Sequence, residues 1–189
     1  NVTDLVLYCV REEATAHVQQ DTSPAFAVDG NGAAHILWSR DGQVWHARLV
    51  GTDWVDAAPV TDATGYNLDL KYSPVLIDGT SPGLVAVWGQ GGGNQADVYY
   101  AIGVIQGDGT VLWTDPFKLT DDSLRDVSPR MLVSDQGDIV FVYLKSNNDL
   151  QDDTDLYYQV VQVSSEDLQP EVAASDAALP IEPQGGGFT

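Results

Sequence analysis

Three Ser-Pro dipeptides constrain this chain more than any other feature. They stand at Ser23-Pro24, Ser73-Pro74 and Ser128-Pro129, and one fixed offset leads from each serine to an aromatic: Trp38, Trp88 and Tyr143. A spacing that returns three times marks an internal repeat, and repeats of this period belong to solenoids and propellers. The constant offset implies that no copy carries an insertion between its two landmarks. Between them the first copy reads Ala25-Phe26-Ala27-Val28, then Asp29-Gly30-Asn31-Gly32, then Ala33-Ala34-His35-Ile36-Leu37-Trp38. The third runs from Met131-Leu132-Val133 through Ser134-Asp135-Gln136-Gly137 to Ile139-Val140-Phe141-Val142-Tyr143. The second turns at Asp78-Gly79-Thr80-Ser81-Pro82-Gly83. Short apolar runs around Gly-containing polar turns predict β-hairpins.

A third strand is expected at Val44-Trp45-His46-Ala47, Asp97-Val98-Tyr99-Tyr100 and Asp155-Leu156-Tyr157-Tyr158. A fourth follows at Trp54 with Pro59-Val60-Thr61 and at Trp113 with Pro116 to Thr120, with a degraded echo over 168–174. Four strands in each repeat of roughly 50 residues is the size of a propeller blade. A β-sandwich would explain the strands but not the recurring landmark spacing. The nearly all-apolar Leu84-Val85-Ala86-Val87-Trp88 also suits a strand covered on both faces.

The fold class read from the sequence is therefore all-β: a partial β-propeller of about three to three and a half four-stranded antiparallel blades. The boundaries expected are 1–22 for the second half of a preceding blade, 23–72, 73–127 and 128–174 for three blades, and 175–189 for a linker or tail. Thr3-Asp4-Leu5 matches Thr154-Asp155-Leu156, which is what places a third strand at the start. An open arc leaves apolar blade faces uncovered. The partners expected are the remaining blades of the parent chain or another protein chain.

Composition narrows the function classes. The chain carries 28 acidic and 8 basic residues, net −20, and 23 of the acids are aspartate. Aspartate suits turns because its short carboxylate accepts from nearby backbone amides. Nucleic acid and anionic membranes call for basic patches, so neither is expected as a partner. No apolar run reaches the roughly 18 residues that would predict a membrane-spanning helix, and membrane insertion is not expected.

The landmarks Ser-Pro, Asp-x-x-Gly at 29–32, Asp97-Val98-Tyr99-Tyr100, and Pro-x-x-Leu-Thr at 116–120 resemble the divergent repeats of sialidase-like propellers, over residues 4 to 172. The resemblance implies the propeller fold and an extracellular or cell-surface setting. It does not imply the family's catalysis. The Asp-box of these repeats is not met, since Ser134-Asp135-Gln136-Gly137 lacks the spacer before the aspartate. Sialidases also need three arginines for the substrate carboxylate and a Tyr/Glu nucleophile pair, and only Pro129-Arg130 is similar to the start of one of their motifs.

Few residues suggest chemistry. His17, His35 and His46 lack metal-ligand spacing, though His35 and His46 fall in adjacent strands of one blade. Cys9 alternates with apolar neighbours and reads as a small buried residue. Asp149, Asp152, Asp153 and Asp155 crowd one loop and form a candidate Ca²⁺ site of hard oxygen ligands, outside the EF-hand pattern. Trp45, Trp54, Trp113 and Tyr100 are candidates for stacking on sugar rings, weighed against packing, since they recur at repeat positions. The reading is a non-catalytic propeller module for assembly, adhesion or ligand binding, with possible glycan partners. The alternative is a fragment of a carbohydrate-active enzyme, a sialidase-like glycoside hydrolase with its catalytic residues elsewhere.

Overall fold

The structure is a computed structural model, and it describes residues 20–75, 82–92, 95–146, 154–162 and 171–173. These residues form strands and connections, without a helix among them. The first sheet runs β1 (Asp21–Val28), β2 (Ala34–Arg40), β3 (Gln43–Val50) and β4 (Asp53–Thr64). The second runs β5 (Tyr66–Ser73), β6 (Gly83–Gln90) and β7 (Asp97–Ile105). Its fourth place is shared by β8 (Val111–Trp113) and β9 (Phe117–Lys118), both paired to β7. The third runs β10 (Arg125–Val133), β11 (Ile139–Ser146), β12 (Thr154–Gln162) and β13 (Glu171–Ala173). All pairs are antiparallel, and strands neighbour one another in chain order except for β9, which pairs back to β7. The first strands of successive sheets, β1, β5 and β10, pack side by side. This is a run of propeller blades, as the repeat predicts.

The expected turns form at both sites that the structure describes. Gly32 N–H donates to the Asp29 carbonyl and Gly137 N–H to that of Ser134, each at 3.0 Å. Gly32 and Gly137 take positive φ, 83° and 90°, where a Cβ is costly. Gly137 is doubly constrained, since a Cβ there would stand 2.5 Å from the Val75 carbonyl oxygen of the neighbouring sheet.

One expectation is corrected. Each first strand carries a bulge, and the register shifts fall at Thr22/Ala25, Tyr66/Asp69 and Val127/Arg130. Trp38, Trp88 and Tyr143 stand opposite these bulges, so the aromatic landmark is a true repeat position. The residue that enters each bulge lies in left-handed conformation: Ser23 (φ 54°), Asn67 (φ 53°) and Ser128 (φ 55°). The counterpart of Ser23 and Ser128 is therefore Asn67, and Ser73 sits at the far end of β5 opposite Gly83. The middle copy thus carries an insertion, since Asn67 lies further from Trp88 than Ser23 does from Trp38 or Ser128 from Tyr143. The second sheet opens at Tyr66 rather than at Ser73, and the first at Asp21 rather than at Ser23. A serine at the repeated offset concealed the insertion, while the left-handed position itself is filled by asparagine, which favours that region more than serine does.

Two apolar seams join the sheets. The first packs Ala25, Leu37, Val44 and Val60 against Leu68, Leu70, Leu84, Ala86 and Trp88. The second packs Val85, Val87, Val98, Tyr100 and Ile102 against Met131, Ile139, Phe141, Tyr143 and Val161. Strand β6 feeds both by alternation, with Leu84 and Ala86 on one face and Val85 and Val87 on the other. The outer faces differ: Phe26 is 62% exposed, Val28 60% and Leu132 67%.

Candidate functional site

Two polar constructions stand out, at opposite ends of β2. At its end, Arg40 pairs in register with Asp21, and its Nε donates to Asp21 Oδ1 at 3.0 Å. Trp38 Nε1 donates to the same oxygen at 3.1 Å, and the guanidinium lies over the Trp38 and Trp45 rings, 5.2 and 4.8 Å from their centroids. The third sheet repeats this arrangement. Lys145 pairs in register with Asp126 and lies over Tyr143 and Tyr157, at 5.8 and 4.7 Å. In the middle sheet the register places Gly65 and Gln90 there, and Trp88 Nε1 donates to Gln90 Oε1 at 3.4 Å. Gly65 can carry no acid, since a Cβ would run into Val44 and Trp88. A cation between two aromatics gains from the negative ring faces, and the paired aspartate offsets part of the cost of its desolvation. Because two blades share it, it is a structural clamp of the repeat.

The third-sheet clamp is richer in charge. Lys145 Nζ stands 2.8 Å from Asp122 and 4.0 Å from the fully buried Asp126. Burial pushes the Asp126 carboxyl up to about 6, and the Thr120 hydroxyl and Lys145 only partly oppose it. Lys118 bridges Asp97 and Asp121 nearby, at 3.1 and 2.5 Å.

At the start of β2, the two histidines meet. His35 Nδ1 and His46 Nε2 are 3.1 Å apart, with the rings stacked at 5.3 Å. His35 Nε2 reaches Asp29 Oδ2 at 3.5 Å, while Asp29 Oδ1 accepts from the Asn31 and Ala33 amides at 2.9 and 2.8 Å. Burial holds both imidazoles below the usual histidine range, and the neighbouring His35 helps take His46 down to about 3. Both rings are therefore neutral near pH 7. The Trp113 ring meets His46 edge-on at 5.3 Å.

This relay ends at a cleft of about 270 Å³ between the first and second sheets, lined by His46, Arg48, Asp56, Ala57, Ala58, Thr110, Val111 and Trp113. A bulge in β4 shapes its wall: His46 pairs with Ala58 but Arg48 with Val55, and Asp56 takes φ 58°. Arg48 Nε donates to Asp56 Oδ2 at 2.6 Å and its Nη1 to the Asp108 carbonyl at 2.9 Å. A second cleft, of about 360 Å³, lies between Pro59–Asp62 and Asp115–Pro116.

Of the residues singled out from sequence, His35 and His46 are brought into contact. Trp45 and Tyr100 pack, the first under Arg40 and the second buried against Phe117 and Phe141. Trp113 borders the cleft, and Trp54 pairs with Leu49. Asp155 pairs with Lys145 across β11 and β12 and is exposed. Asp149, Asp152, Asp153, Cys9 and His17 lie outside the described residues, as do the 1–19 and 175–189 segments. Among the described residues no group of three or more His, Cys, Asp or Glu is arranged to hold a metal ion. Sequence reasoning missed the clamps and the cleft. The clamps left a signal, an aromatic followed at the next-but-one position by Arg40, Gln90 or Lys145.

The sequence matches no protein-family model and no curated protein. By structure the chain is similar to the intramolecular trans-sialidase of Ruminococcus gnavus in complex with oseltamivir carboxylate. That match has TM-score 0.57 and 14% identity, over 81% of this chain and 34% of that one. It is similar also to the leech intramolecular trans-sialidase (TM-score 0.56, 14% identity, 74% of this chain and 23% of that one). A third likeness is to the α-L-arabinanase of Penicillium chrysogenum (TM-score 0.56, 13% identity, 86% and 52%). The chain thus spans from about a quarter to half the length of these proteins. At such identities the likeness establishes the fold alone, a β-propeller.

Proposed function

We propose that these blades are the non-catalytic frame of a larger propeller in a secreted or cell-surface protein, serving assembly, adhesion or ligand binding. The observation that carries this reading is the contrast between the middle sheet and the flanking ones. Strand β6 is buried along all of its length but Gln90, whereas Phe26, Val28 and Leu132 stand exposed on the outer faces. The first-strand positions that build the seams through Leu70 and Met131 carry Phe26 at the open end, by register. Propellers close with 4 to 8 blades. Further blades of the same chain, or of another protein chain, would cover these faces. Arg40 and Arg48 already face Asp21 and Asp56, which supports a frame over a carboxylate-binding centre.

Sedimentation of the chain at micromolar concentration tests the reading. Association is expected, and the pair Phe26→Ser and Leu132→Ser should abolish it without lowering the melting temperature. A stable monomer before substitution would refute the frame proposal. A second reading, part of a carbohydrate-active enzyme with catalytic residues in other blades, is favoured by the likeness to trans-sialidases and an arabinanase. A glycoside screen on the natural polypeptide separates the two. Turnover by these blades alone would overturn the first.

A further inference from the structure

The hydrogen bonds of the first seam fix the tautomers of both histidines. The Asp29 carboxylate only accepts, so His35 Nε2 must carry the proton that faces it. His35 Nδ1 then holds a lone pair, and His46 Nε2 must donate to it. That leaves His46 Nδ1 with a lone pair and without a partner among the described residues, on a ring that lines the cleft. The acceptor is held rigidly, since His35 and Asp29 stand behind it and Asp29 is anchored by two backbone amides.

The remaining lining decides the ligand class. Ala57, Ala58, Val111 and the Trp113 ring offer apolar surface, and the Arg48–Asp56 pair offers a donor and an acceptor at the rim. Arg48 is the one cation of the lining, and Asp56 already neutralises it. Asp108, whose Oδ1 accepts from the Thr110 hydroxyl at 2.7 Å, adds a further negative charge beside it. Anions are therefore disfavoured. A cleft with apolar walls, a few converging polar groups and a volume near 270 Å³ suits a compact ring with one apolar face and hydroxyls on its edge.

We propose that this cleft binds a neutral hydroxylated ring of pyranoside size, with a ligand hydroxyl donating to His46 Nδ1 and others meeting the Arg48–Asp56 pair. It lies away from the clamps, at the opposite end of β2. His46 Nδ1 serves here as a hydrogen-bond acceptor, since burial and the neighbouring His35 keep its ring neutral near pH 7. The inference is independent of whether further blades complete the ring, because the cleft lies between two sheets of this chain.

The test is a saturation-transfer NMR titration of the full chain with methyl β-D-galactopyranoside and methyl β-D-glucopyranoside. N-acetylneuraminic acid serves as the anionic probe and tetramethylammonium as the cationic one. At least one neutral pyranoside should saturate in the millimolar range. Asp56→Gly, at a rim residue whose side chain is 43% exposed, keeps the left-handed backbone of this position (φ 58°) accessible and should weaken binding about tenfold with little change in melting temperature. His46→Gln should do the same, and the rim variant decides if this one fails to fold. Absence of saturation by both neutral probes, binding unchanged in Asp56→Gly, or tighter binding of either charged probe would each overturn the proposal.

Discussion

The two seams use the same strand positions for opposite chemistry. In the second, Tyr100 stacks on Phe117 and meets a tilted Phe141 ring, each 5.1 Å away, in apolar surroundings. In the first, the matching position on the third strand is His46, hydrogen-bonded to His35 and through it to Asp29. The turn residue makes the difference possible. Ser134 caps its turn by accepting from the Gln136 and Asp138 amides, at 3.2 and 3.0 Å, with its single oxygen. Asp29 caps the matching turn with one oxygen and has another for His35. Asp29, both His35 nitrogens and His46 Nε2 are matched within this chain, which limits the cost of burying it. The blade framework thus sets where side chains meet, and one turn residue sets whether the meeting place is polar.

The largest expected effect lies in the apolar seam. Phe141→Ala should cost about 3–5 kcal/mol, since the fully buried ring leaves a cavity between two sheets. Urea unfolding measures it, and a loss far below that range would show that the second seam is not core.

The polar seam should reveal itself through pH. His46 takes protons near 6.5 when unfolded and only near 3 when folded, so its stability contribution is complete above pH 6.5 and is lost as pH falls towards 3. The loss across that range is about 4 kcal/mol. His46→Gln should flatten the melting temperature over the acid limb, and an unchanged limb would assign acid lability elsewhere.

Asp126 acts in the other direction. Its carboxyl titrates near 3.8 unfolded and about 6 folded, so protonation favours the fold and stability rises as pH falls from 6 to 3.8. After allowance for relaxation the gain is about 2 kcal/mol, which partly masks the histidine effect. Asp126→Asn should steepen the acid loss. A shallower profile in that variant would contradict the assignment.

The smallest effect tests the repeat itself. Asn67 and Ser128 share the left-handed bulge position. Asparagine tolerates that region better, so Ser128→Asn should raise stability by about 0.5 kcal/mol. A clear loss of stability would mean that the bulges are not equivalent.

Much was legible in the sequence because strands and turns are local. Alternation placed β6 on two faces, Asp29–Gly32 and Ser134–Gly137 closed as hairpin turns, and the aromatic landmark kept its register in all three sheets. The Ser73-Pro74 landmark misled, because a bulge is defined by its partner strand, and an insertion of equal length to the shift preserved the count. The His46–His35–Asp29 chain was half visible, as two histidines in adjacent strands. Its reach to Asp29 depends on side-chain direction at a turn. The clamps showed only as an aromatic followed at the next-but-one position by Arg40, Gln90 or Lys145, and the cleft only as the separate residues His46 and Trp113. Clamps and cleft join β2 to β3, β4 to β8 and β10 to β11, and long-range pairing is set by register and bulges rather than by neighbours along the chain. The residues by themselves determined that this chain is blades. Only the tertiary structure decided which blade positions are polar, because whether a buried His or Asp finds a partner depends on what the next strand brings opposite it.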